Sequence, residues 1–137
     1  MENNENISSK ELENKKLVLI PKIEDYIEYM LNVITKLPRV EKFSIGNEYK
    51  TSMYSMLENS LYTAKINRKE NIKETLKLLN KIDAELNCQR IFLRIMKKQK
   101  WIDEKKFDVA MSKIYEIGKI VGGIIKANAK NYKERIW

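Results

Sequence analysis

The stretch DEKKFDVAMSKIYEIGKIVGGIIKA, residues 103–127, decides the fold class. Its apolar residues Phe107, Ala110, Ile114, Ile117, Val121 and Ile124 step by 3, 4, 3, 4 and 3. That is the period of one helix face, not the alternation of a strand. Asp103 is the expected N-cap, because a short acidic side chain can accept the unpaired N–H groups of a first helical turn. The Gly122-Gly123 pair inside the pattern costs about 1 kcal/mol per glycine relative to alanine. It marks either the close approach of another backbone, from a neighbouring helix or subunit, or a kink or helix end near Val121.

Working backwards along the chain, three more amphipathic helices appear. Ile72, Leu79, Leu86 and Leu93 recur at strict sevens, with Leu76, Ile82 and Met96 filling the turns between them, which predicts a helix over about 70–98. Ile45, Tyr49, Met53, Met56, Leu57, Leu61 and Ala64 predict one over 45–65, capped by Ser44. Ile20, Ile23, Ile27, Met30, Ile34 and Leu37 predict a first helix over about 20–37, with Pro21 in its first turn and Leu37-Pro38 ending it. Four such helices with short connections read as an all-α, antiparallel up-down four-helix bundle over residues 18–131. On this reading residues 1–17 form a flexible polar segment and 132–137 a tail.

Composition agrees. The 137 residues amount to about one domain, and four glycines and two prolines leave few chain breakers. Histidine is absent and Cys88 is the single cysteine. Imidazole acid–base catalysis, Ser-His and Cys-His nucleophiles, His-based zinc or di-iron sites, CxxC redox pairs and intrachain disulfides are therefore excluded. Cys88 reads as a small, half-buried helical residue. Glu24, Asp25 and Glu28 read as the polar face of the first helix. No P-loop, GxGxxG or GxSxG is present, and no metal or cofactor is expected. The longest fully apolar run is Leu17 to Ile20, too short for a bilayer, and the polar start lacks the pattern of a signal peptide. A cytoplasmic, non-enzymatic protein without membrane contact is expected.

The net charge is +8, and the excess is one-sided. Residues 1–68 hold ten basic and ten acidic side chains; residues 69–137 hold seventeen and nine. Such asymmetry favours a polyanionic partner such as RNA or DNA. Lys69, Lys73, Lys77 and Lys81 have Glu70, Glu74 and Glu85 close by and read as a solvated face. The segment from Arg90 to Lys100 contains no acid and is the better anion site. Arg90 and Arg94, four apart, are expected to project together as a phosphate grip, with Lys97 and Lys98 beyond them. Lys119, Lys126, Lys130, Lys133 and Arg135 form a second basic set, with Tyr132 and Trp137 interleaved.

Three passages go beyond generic patterning. Leu37-Pro38-Arg39-Val40-Glu41-Lys42-Phe43-Ser44-Ile45-Gly46 resembles the FPRxxRFTLG turn of the Avd-like four-helix bundle proteins, the accessory variability determinants of diversity-generating retroelements. Arg90-Ile91-Phe92-Leu93-Arg94-Ile95 is similar to their LRxLLRLA stretch. Tyr115 to Lys126 resembles their xEIGRMLGGWxK passage, with Lys119 in place of an arginine and Ile124 in place of the tryptophan.

The resemblance implies a homopentameric basic barrel that binds a reverse transcriptase and nucleic acid and supports mutagenic cDNA synthesis and retrohoming. It carries Arg39, Lys42, Arg90, Arg94 and Lys119 over as basic contact positions; Gly118, Gly122 and Gly123 are the candidate points of helix or subunit packing. A related family, encoded in intervening sequences of 23S ribosomal RNA genes, implies the alternative of a stand-alone oligomer without a polymerase partner. An RNA-processing enzyme without a recognisable site is the third reading.

Overall fold

The computed structural model describes the backbone of residues 4–66 and 70–136 and the side chains of residues 18–66 and 70–130. The elements are α1 (Asn4–Thr35), the single-turn α2 (Arg39–Lys42), α3 (Ile45–Lys65), α4 (Ile72–Lys98) and α5 (Glu104–Ile136), with no strand among the described residues. The four long helices pack in the ring order α1, α3, α4, α5 and back to α1. Cross-helix contacts fix each neighbour as antiparallel. Tyr26 meets Tyr49 while Ile34 faces Gly46, and Tyr49 meets Phe92 while Ser52 meets Glu85. In the same sense Lys97 meets Glu104 while Arg90 faces Gly118, and Lys22 meets Glu116 while Asp25 meets Lys113. The fold is the expected antiparallel bundle.

Its core is built from the periodic residues. Ile23, Met30, Ile34, Met53, Met56, Leu79, Leu86, Leu93, Ile114, Val121 and Ile124 are all buried. Two helix boundaries differ from the sequence reading. α1 begins at Asn4 instead of near residue 20, so Pro21 lies inside the helix, and α5 continues to Ile136, past residue 131 where the bundle was expected to end. Residues 4–17 and 131–136 carry no apolar seam; both stretches are rich in Lys, Glu and Asn, and their helicity rests on propensity and on continuation from a nucleated helix. α1 and α5, at 32 and 33 residues, are accordingly the two longest helices.

The face of α3 also drifts. Leu61 and Ala64 were expected in the core but are exposed, whereas Ser60 and Thr63 are buried in their place. Burial of these hydroxyls is possible because Ser60 donates to the Met56 carbonyl at 2.8 Å and Thr63 to the Asn59 carbonyl at 2.8 Å.

The connections differ in chemistry. Asp103 caps α5 as expected, its Oδ1 accepting the Lys106 N–H at 2.8 Å. Ser44 precedes α3 but makes no side-chain cap; the start of α3 is instead tied to α2 by the Ser44 N–H on the Glu41 carbonyl at 3.1 Å. Gly46 lets that corner close, since a Cβ there would lie 3.0 Å from Ile34 Cγ2 and 3.4 Å from the Glu41 carbonyl oxygen. α4 ends in a Schellman turn, with the Trp101 N–H on the Met96 carbonyl and Lys100 at φ 63°. No helix among the described residues is long and apolar enough to cross a membrane.

Candidate nucleic-acid interface

The acid-free segment from Arg90 to Lys100 forms the last turns of α4, beside the first half of α5. Helical geometry alone puts Arg90 and Arg94 on one face, but the neighbouring helix separates their roles. Arg90 is half-buried and leans across the seam onto Gly118, where a Cβ would lie 2.9 Å from its Nη2 and 3.9 Å from Leu86 Cδ1. Its Nη1 donates to Asn87 Oδ1. Gly118 is thus the notch that holds a guanidinium between α4 and α5. Arg94, one turn on, is exposed and has no ion pair.

The lysines divide in the same way. Lys97 is engaged within the protein: its Nζ lies 2.9 Å from Glu104 Oε2 and 4.4 Å from the centre of the Phe107 ring. Lys98 is exposed and unpaired. On α5, Tyr115, Lys119, Gly122 and Lys126 step by 4, 3 and 4 and are all exposed, forming one outward strip next to the Arg90 notch. Neither Lys119 nor Lys126 has an ion pair among the described residues. α5 runs unbroken through Gly122 and Gly123, so the pair ends no helix, and a Cβ at Gly122 would meet nothing within 4 Å.

The α4–α5 face therefore carries Arg94, Lys98, Lys119 and Lys126 as cations without acidic partners among the described residues. Glu104 is paired to Lys97 and Glu116 to Lys22. Asp83 and Asp108 border the face on α4 and α5. Such an arrangement can hold phosphates by charge and by Arg N–H donors.

Arg39 and Lys42 lie apart from that face, on α2 at the α1–α3 corner, with Arg39 exposed and Lys42 half-buried. The exposed Val40 and Phe43 flank them. Lys73, Lys77 and Lys81 are exposed as expected, but none pairs with Glu70, Glu74 or Glu85. Lys69 lies outside the described residues, and Tyr132, Lys133, Arg135 and Trp137 outside the described side chains. Cys88 is exposed, not half-buried, and partial desolvation together with Glu85 and Glu48 pushes its thiol pKa up, away from a reactive thiolate.

One feature escaped the sequence reading. A polar chain crosses the core: Tyr49 donates to the Tyr26 hydroxyl, Tyr26 to Gln89 Oε1 at 2.7 Å, Gln89 Nε2 to Ser52 Oγ at 3.0 Å, and Ser52 to Glu85 Oε2. Burial drives both phenol pKa values up, with Arg90 opposing it only at Tyr26. The residues hold one another in register across α1, α3 and α4 and offer no open site. Their signal was positional, since Ser52 and Gln89 fall on lattice points otherwise filled by Tyr49, Met56, Leu86 and Leu93.

Residues 17–128 match the sequence model of the bAvd-like family. The fold is similar to the 1.70 Å crystal structure of a protein of unknown function from the S23 ribosomal protein family of Bacteroides thetaiotaomicron, with a TM-score of 0.73 and 18% identity. The similarity covers 82% of this chain and 98% of that one. No curated protein matches the sequence.

Proposed function

The chain belongs to the bAvd-like family, and from that premise we propose that it is a non-catalytic, cytoplasmic accessory protein of a diversity-generating retroelement. In this reading it assembles as a homopentamer, binds RNA or DNA through a basic surface, and docks the reverse transcriptase in support of mutagenic cDNA synthesis and retrohoming. It needs no cofactor. The observation that carries the reading is the α4–α5 face, where Arg94, Lys98, Lys119 and Lys126 stand without acidic partners. Five copies would repeat that face around one particle and concentrate its field, which favours fast, salt-sensitive capture of a polyanion.

The test combines mass, binding and partner. Light scattering at micromolar concentration should give five chains per particle, and fluorescently labelled RNA and DNA should bind with affinity that falls steeply with salt. The protein should co-purify with the reverse transcriptase encoded beside its gene. A monomer sinks the pentamer, and salt-independent or absent binding sinks the nucleic-acid role. A gene lying inside a 23S ribosomal RNA locus with no reverse transcriptase nearby replaces the retroelement role with that of a stand-alone oligomer.

A further inference from the structure

The unpaired cations account for attraction to phosphates but not for Tyr115. This residue is 66% exposed in mid-helix on α5, and its ring covers no part of the core. It sits one turn before Gly118 and Lys119 and about 17 Å along the helix axis from Lys126. Across the seam, the Arg90–Gly118 contact sets the register and brings the outer face of α4 level with it. There Ile91 and Ile95 are also exposed, at 52% and 40%, beside Arg94 and Lys98. An aromatic face and two aliphatic side chains thus lie among four cations that have no ion pairs among the described residues, with Asp83 and Asp108 at the border of the face.

An apolar patch alone would suit any hydrophobic partner, but the charges narrow the choice. A partner must bring anions to Arg94, Lys98, Lys119 and Lys126 and a flat apolar surface to Tyr115. Duplex nucleic acid supplies the anions but keeps its base faces stacked inside. A single strand supplies both, because each unpaired base has a free face and stacking tolerates any sequence.

We propose that Tyr115 is a base-stacking platform and that the α4–α5 face is a binding site for single-stranded RNA or DNA. The strand's phosphates run past Arg94, Lys98, Lys119 and Lys126, while Ile91 and Ile95 cover the edge of the stacked base. This rests on the nucleic-acid reading above and adds the state of the strand and the residue that senses it.

The experiment measures binding of a 12-nucleotide oligouridylate and of a 12-base-pair RNA duplex, both fluorescein-labelled, across a salt series. The proteins are the full chain and its Tyr115→Ala, Tyr115→Trp and Lys119→Ala variants. Tyr115→Ala should weaken the single strand about tenfold, the loss of one stacked base, with its salt slope unchanged and the duplex within twofold. Tyr115→Trp should restore the single-strand affinity. Lys119→Ala should weaken both probes and flatten both slopes. If Tyr115→Ala leaves the single strand unchanged, or weakens both probes equally, the platform is overturned while nucleic-acid binding stands. If the unmodified chain binds neither probe, the functional reading falls with it. Tyr115 is outside the core, so circular dichroism should show the same helix content in every variant.

Discussion

The two flanks of α5 are built from similar residues and differ in how many of their cations are paired. On the α1 side, Lys113 meets Asp25 at 2.6 Å and Lys22 meets Glu116 at 3.0 Å across a shallow groove floored by Val18, Pro21 and Val109. On the α4 side, Lys97 pairs with Glu104 at 2.9 Å and Arg90 is folded into the Gly118 notch, while Arg94, Lys98, Lys119 and Lys126 have no ion pair among the described residues. The difference teaches that a surplus of +8 does not locate a binding surface. What locates it is which neighbour supplies the acids: α1 brings Asp25 to α5, whereas α4 brings no acid from residue 90 to residue 100.

The largest effect should come from removing the unpaired side. Replacing Arg94, Lys98, Lys119 and Lys126 by glutamine together should flatten the salt slope for a single strand by about 3 and weaken binding about 200-fold near 0.15 M salt, if each cation releases about 0.7 of a counterion. Replacing Lys22 and Lys113 instead should change affinity by less than about twofold, because their charges are already balanced. Equal losses in a fluorescence-anisotropy titration would break the distinction between the flanks.

The two glycines on the α4 side sharpen it in a different measurement. Gly118→Val puts a branched side chain where the Arg90 guanidinium sits, and should destabilise the bundle by about 1–3 kcal/mol through overpacking. Gly122→Ala fills open space and improves helix propensity, so urea unfolding of the single chain should show a gain of up to about 1 kcal/mol. A smaller step separates the two arginines. Arg94→Ala should weaken single-strand binding about fourfold, the share of one phosphate contact, while Arg90→Met keeps the packed stem and should cost under about twofold. Comparable losses would mean that Arg90 leaves its notch to meet phosphate.

Much of this was legible in the sequence, and the residues show why the rest was not. Helical seams such as Phe107 to Ile124 are strong local signals, so the four long helices and their antiparallel order followed from periodicity and short connections. The ends of α1 and α5 did not, because residues 4–17 and 131–136 have helix propensity without a seam. Ser52, Gln89 and Tyr26 were hidden because a polar residue on an apolar lattice point declares itself only once its partners are known. Arg90 and Arg94 have the same spacing on paper. What distinguishes them is a glycine 28 residues downstream, across a helix seam, and single-sequence spacing carries no information about that contact.

The smallest effects should lie in the α1–α5 ion pairs, and they test the balanced flank directly. Exposed pairs contribute about 0.2–1 kcal/mol, because solvent screens them and long side chains lose freedom on pairing. The two pairs here are not equal. Lys113 is 28% exposed and its Nζ lies 5.5 Å from the centre of the Tyr29 ring, whereas Lys22 is 41% exposed and has no aromatic neighbour. A double-mutant cycle on Lys113 and Asp25 should therefore give a coupling near the upper end of that range, and one on Lys22 and Glu116 a coupling near the lower end. Both should shrink in 1 M salt, where the Debye length falls to about 3 Å. Lys113→Ala should cost more than Asp25→Ala, since it also loses the ring contact. If neither cycle shows coupling at low salt, Lys22 and Lys113 are free cations like those of the opposite flank, and the asymmetry of α5 is lost.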